Sequence, residues 1–148
     1  MNWSIGDFIV AGVLLAMLGV AGLIFVRLKR PISYRLGFVA HIIGSVLVFW
    51  AGGAVGLIGD ADNPANLYYL VVLLVGVVGG VYGRFSPEAM KKTLLIMAIM
   101  QVAIGSSALA LGWGSEAAKW PWDVIAATLA FALIWLLGAF FFRQAEKA

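Results

Sequence analysis

The stretch IGDFIVAGVLLAMLGVAGLIFVRLKR, residues 5–30, decides the fold: from Phe8 through Val26 it carries no charged side chain, and Arg27, Lys29 and Arg30 close it. An α-helix rises about 1.5 Å per residue, so roughly 20 apolar residues cross the ~30 Å hydrocarbon core of a bilayer. The stretch is too long for the apolar region of a secretory signal, and its basic residues follow it rather than precede it, so it reads as a retained membrane helix.

Four further stretches meet the same criterion, giving spans of Ile5 to Leu28, Arg35 to Ile58, Asn66 to Arg84, Thr93 to Gly112 and Pro121 to Phe142 in a single transmembrane domain over residues 1–148. Composition agrees, with 64% hydrophobic and 11% charged residues and a mean hydropathy of +1.03. That leaves too little polar surface to coat a water-soluble globule. The expected fold is all-α, an integral membrane up-and-down bundle of five helices whose short connectors make sequence neighbours antiparallel.

Orientation follows from the basic residues, which are retained on the cytoplasmic side. Every one of the ten lysines and arginines except Lys119 falls in the first connector, the third connector or the C-terminal tail. The opposite side holds Lys119 together with Asp7, Asp60, Asp62, Glu116 and Asp123, which predicts the N-terminus out and the C-terminus in. Trp3, Tyr68, Tyr69, Trp113, Trp120 and Trp122 form an outer aromatic belt, and Tyr34, Tyr82, Phe85 and Phe140 to Phe142 an inner one. The net charge of +3 is accounted for by these topogenic clusters, and no nucleic-acid partner is expected.

Helix starts are legible. Ser4 with Asp7 resembles a capping box, Ser86 before Pro87 puts the start of the fourth helix near Pro87, Asn63 before Pro64 precedes the third, and Trp120-Pro121 opens the fifth. Glycines four apart, Gly52 and Gly56, Gly76 and Gly80, Gly79 and Gly83, place small residues on one helix face, where backbones approach closely. The third span is therefore expected to be a tightly packed central helix.

Intramembrane polar residues are costly unless paired or used. His41, with Ser45 one turn on, reads as a proton-relay or ligand group, or as a histidine bonded to a neighbouring helix. Gln101, followed by Ser106 and Ser107, reads as the lining of a small polar path, or as an interhelical hydrogen-bonding residue. Trp50 and Trp135 suit a bound lipid, quinone or pigment, or simple packing; no cofactor is predicted. No Lys, Arg, Asp or Glu lies near a span centre, which argues against a carboxylate-driven ion pump and a retinal Schiff base. The chain has no cysteine, and no zincin, Walker A or nucleophile-elbow motif, and no enzymatic activity is expected.

The most distinctive polar stretch is the outer turn Gly59-Asp60-Ala61-Asp62-Asn63-Pro64-Ala65-Asn66. Asp60, Asp62, Asn63 and Asn66 supply oxygens for a cation, yet Pro64 interrupts the EF-hand pattern and the bidentate glutamate is missing, so a capped turn with solvated acids is the competing reading. One Asn-Pro-Ala triplet in five spans does not make an aquaporin, which uses two in six. The run from Gly56 to Leu67 resembles the G-x-I-G-x-x-D-N-P-A-N-L hallmark of a family of small bacterial five-span membrane proteins, with a basic turn resembling Gly83 to Lys92. That resemblance implies a bacterial inner (cytoplasmic) membrane and supplies no activity. The expected role is a non-enzymatic packing or accessory module in a homo-oligomer or larger membrane complex; the alternative is a channel or carrier for a small solute or ion, with His41, Gln101, Ser106 and Ser107 along its path.

Overall fold

The computed structural model describes residues 5–148, the side chains of Asp7 and Ile24 excepted. Each apolar run is helical: α1 spans Ile5–Arg27, α2 Ile32–Ala54, α3 Tyr68–Tyr82, α4 Pro87–Leu111 and α5 Trp122–Glu146, with a short 3-10 turn, Pro64–Leu67, leading into α3. Among the described residues there is no strand. All five helices, α3 together with its 3-10 turn, are long and apolar enough to cross a membrane, as a multi-pass protein requires. The proposed capping box at Ser4 and the belt residue Trp3 lie outside the described residues.

Local chemistry sets the ends. Ser86 Oγ accepts a hydrogen bond from the Ala89 backbone N–H at 3.3 Å, Pro87 occupies the first turn, and α4 starts there as its sequence predicts. Gly112, at φ 69°, closes α4 in the left-handed region. The second helix stops at Ala54, four residues before the expected Ile58. Gly56 (φ 81°) and Gly59 (φ 66°) turn the chain sharply, and Leu57 and Ile58 fold back as buried residues of the turn instead of extending the helix.

Neighbouring helices run antiparallel, and the register is set by small residues. Gly37 faces Phe142 and Gly44 faces Trp135 across α2 and α5; Gly138 faces Leu94 and Gly105 faces Thr128 across α5 and α4; Gly79 faces Thr93 and Gly76 faces Met97 across α3 and α4. The contacts run from α2 through α5 and α4 to α3, and α1 packs mainly on α2. Sequence order therefore does not set every neighbour: α2 and α3 barely touch, while α2 packs extensively on α5.

The expectation of a central third helix is also corrected. Only 22% of its apolar window is buried, against 33% for α4 and 39% for α5. The glycine face of α3 does pack, against Thr93, Met97 and Ala89 from α4 and His41 from α2, but it is one narrow face. The interior is filled mainly by large side chains of α4 and α5, among them Met90, Leu94, Met97, Trp135 and Phe142.

At the basic end, side chains tie the helix termini together. Lys91 Nζ pairs with Glu146 Oε1 at 2.7 Å, the Tyr34 hydroxyl donates to the Phe85 carbonyl at 2.6 Å, and Arg35 Nη1 donates to the Phe25 carbonyl at 2.7 Å.

Candidate functional site

Two polar regions and one groove stand out. The first is the turn between α2 and α3. Asn66 is buried at its centre, and its Oδ1 accepts hydrogen bonds from the backbone N–H groups of Leu57 (2.8 Å) and Ile58 (2.9 Å). Its Nδ2 donates to the carbonyls of Asp60 (2.9 Å) and Ile58 (3.4 Å). One amide thus saturates the backbone of a tight loop that no helix or sheet satisfies. Asn63 Oδ1 accepts from the Ala65 N–H at 2.9 Å and caps the 3-10 turn.

The turn is also docked onto α5. The Gly59 N–H donates to Asp123 Oδ2 at 3.0 Å, and Asp123 Oδ1 accepts from the Val124 N–H at 2.8 Å. Gly59 lies directly against Gly114: a Cβ built on Gly59 would stand 2.9 Å from Gly114 Cα. Asp60 and Asp62 are exposed, and among the described residues neither forms an ion pair. Among the described residues no three His, Cys, Asp or Glu side chains group as a metal site. Of the four turn residues singled out from sequence, Asn63 and Asn66 build the loop while Asp60 and Asp62 line its surface.

The second region lies along the bundle interior. Tyr69, Gln101 and Trp135 are almost wholly buried, and the Tyr69 hydroxyl, both amide atoms of Gln101, Trp135 Nε1, His41 Nδ1 and Thr128 Oγ1 have no hydrogen-bond partner among the described residues. The antiparallel register stacks them in layers. His41, Gly76, Met97 and Trp135 share one level, the His41 and Trp135 rings 6.1 Å apart. Gln101 sits about one turn nearer the α2–α3 turn, and Gly105 with Thr128 one turn further still. The Tyr69 and Thr128 hydroxyls face each other at that level without meeting hydrogen-bond geometry.

Of the expected polar path, the fold brings His41 and Gln101 into adjacent interior layers. Ser45 and Ser107 are half-buried, and Ser106 is exposed on the outer surface of α4. Sequence puts Tyr69 in the outer aromatic belt and leads one to expect the Thr128 hydroxyl to bond its own helix backbone; instead Tyr69 is buried, and neither hydroxyl has a partner among the described residues. The signal for Thr128 is Gly105, a small residue opposite it on α4, legible only once the register is known.

The third feature is a lateral groove of about 790 Å³. Val10 and Leu14 of α1 form one wall and Tyr69 and Leu73 of α3 the other. Val48, Gly52 and Gly53 of α2 are its floor, and Asp62 and Asn63 close one end. Trp50 lines it, whereas Trp135 is buried in the bundle, so the two tryptophans serve separate places. Compared with protein-family models, curated proteins and solved structures, the chain matches none.

Proposed function

We propose that the chain is a multi-pass protein of a bacterial inner membrane, N-terminus out and C-terminus in, acting as a non-enzymatic packing or accessory module in a homo-oligomer or larger membrane complex. The orientation is supported by the basic residues gathered at the end where Lys91 meets Glu146 and Arg35 meets the end of α1. The bacterial membrane is supported by the resemblance carried by Gly56 to Leu67.

One observation carries the assembly reading. The glycines of α3 are occupied inside the chain, whereas for Gly12, Gly19 and Gly22 of α1 no atom of the described residues lies within 4 Å for an added Cβ to meet. At about 3.6 residues per turn, Gly12, Ala16 and Gly19 share a face opposite Leu14 and Ala21, the residues of α1 that are buried among those described. Small residues on a lipid-facing stripe let a second helix approach closely, and no described residue packs against this stripe. Size analysis of protein extracted with native lipids tests the reading. An assembly larger than one chain, weakened by Gly12→Leu and Gly19→Leu, supports it; a monodisperse monomer with no co-purifying partner overturns it.

A second reading, a carrier or channel for a small solute or ion, draws on the interior polar groups His41, Gln101, Thr128 and Tyr69. Unsatisfied polar groups in hydrocarbon surroundings are expensive, and a hydrated or solute-lined interior would satisfy them. Reconstituted vesicles that pass no ion, water or small neutral solute would remove this reading.

A further inference from the structure

We infer that the lateral groove is a binding site for one phospholipid with a primary-amine headgroup, its acyl portion lying on Gly52 and Gly53 and its ammonium held by Asp62. The inference rests on the membrane placement proposed above.

The depth and apolar lining of the groove suit the acyl portion of a lipid. From Pro64 to Leu73 the 3-10 turn and α3 rise about 15 Å, half of the ~30 Å hydrocarbon core, so the groove spans one leaflet. Extended acyl chains are slender and flexible enough to follow a groove of this depth and volume. The walls are apolar, with Val10, Leu14, Val48 and Leu73 facing the space.

The polar end of the groove selects the headgroup. Asp62 lines it, is exposed, and has no ion-pair partner among the described residues; no Lys or Arg lines the groove. An anionic headgroup would meet an uncompensated carboxylate. A primary ammonium complements it in charge and offers three N–H donors to its oxygens, which a quaternary ammonium cannot do. Beside it, Asn63 uses its Oδ1 to cap the turn, which leaves its amide N–H₂ as a donor for the lipid phosphate.

The test uses the full chain purified in detergent, supplied with phosphatidylethanolamine, phosphatidylcholine or phosphatidylglycerol and read by native mass spectrometry for retained lipid. Phosphatidylethanolamine is expected to be retained at least several-fold over the other two, and Asp62→Asn to abolish that preference. Gly53→Trp should reduce retention of every lipid, because a side chain there grows into open space with no atom within 4 Å. Gly53→Leu, a smaller filler, should act in the same direction, so a misfolded tryptophan variant does not decide the matter. Equal retention of the three lipids overturns the amine recognition, and unchanged retention in both Gly53 variants overturns the site. Release of the chain from native membranes by alkaline carbonate would undo the membrane placement itself; an embedded chain without lipid preference undoes only the lipid site.

Discussion

Asp123, at the start of α5, accepts a hydrogen bond at 3.0 Å from the backbone N–H of Gly59, 64 residues earlier in the chain. The bond joins the turn after α2 to the helix that α2 packs against most closely, although α3 and α4 intervene in sequence. The same carboxylate sits in the first turn of α5, where an acid also favours the positive end of the helix dipole. Asp123→Ala is expected to cost about 1.5–3 kcal/mol, the usual range for a hydrogen bond to a charged group. Asp123→Asn, which keeps an acceptor, should recover part of it. Equilibrium unfolding of the two variants in mixed micelles gives both numbers, and equal losses would mean that charge rather than acceptance matters.

Asn66 should be the least replaceable residue of the turn. Asn66→Ala strands two buried N–H donors, on Leu57 and Ile58, at about 1–3 kcal/mol each. Asn66→Asp keeps the acceptor but points a carboxylate oxygen at the Asp60 and Ile58 carbonyls, so it too should destabilise. Asp60→Asn and Asp62→Asn touch exposed side chains and should stay within about 0.5 kcal/mol of the parent. A ranking in which Asp60 outweighs Asn66 would restore the cation-site reading of this loop.

The helices were legible because the bilayer dictates their length and because caps such as Ser86-Pro87 mark their starts. Their arrangement was not, for a physical reason. In lipid both the inside and the outside of a bundle are apolar, so exposed Ile99 and Leu133 carry the same chemistry as buried Leu94 and Val124. No amphipathic stripe points α2 toward α5. The glycine faces said that close packing occurs; they did not say that α3 would spend its face on α4 and remain at the edge. The left-handed residues Arg84 and Phe85 (φ 50° and 53°) that turn α3 into α4 carry no glycine or asparagine to announce them. In the turn after α2 the caps were readable, while its attachment to Asp123 needed the three-dimensional fold.

Glycines that look alike in sequence should behave differently. A Cβ at Gly105 collides with the Thr128 side chain, so Gly105→Ala is expected to cost about 1–3 kcal/mol by overpacking. The double variant Gly105→Ala with Thr128→Ala should regain a large share of that loss, since the hydroxyl that obstructs the new methyl is gone. Gly12→Ala and Gly19→Ala meet open space and should leave the unfolding midpoint of the monomer unchanged. A Gly105→Ala protein as stable as the parent would contradict the α4–α5 register.

The lysine and glutamate that join the helix ends at the basic face should matter little. Lys91 and Glu146 are about one quarter exposed, and surface pairs of this kind contribute about 0.2–1 kcal/mol and weaken with salt. A double-mutant cycle with Lys91→Met and Glu146→Gln should return a coupling in that range, smaller at 1 M salt than at low salt.

Gln101 offers the sharpest division between the two proposed functions. Neither its Oε1 nor its Nε2 has a hydrogen-bond partner among the described residues, and its side chain is wholly buried. A dry, unsatisfied amide costs about 1–3 kcal/mol, which Gln101→Met removes while nearly conserving volume. A packing module therefore predicts a variant more stable than the parent by roughly 1 kcal/mol or more, with assembly intact. A solute path predicts the opposite: its amide is satisfied by water or cargo, and Gln101→Met would lower stability and flux together. Thermal unfolding of the variant in detergent, read beside vesicle flux, separates the two, and a stabilised Gln101→Met protein is the outcome expected here.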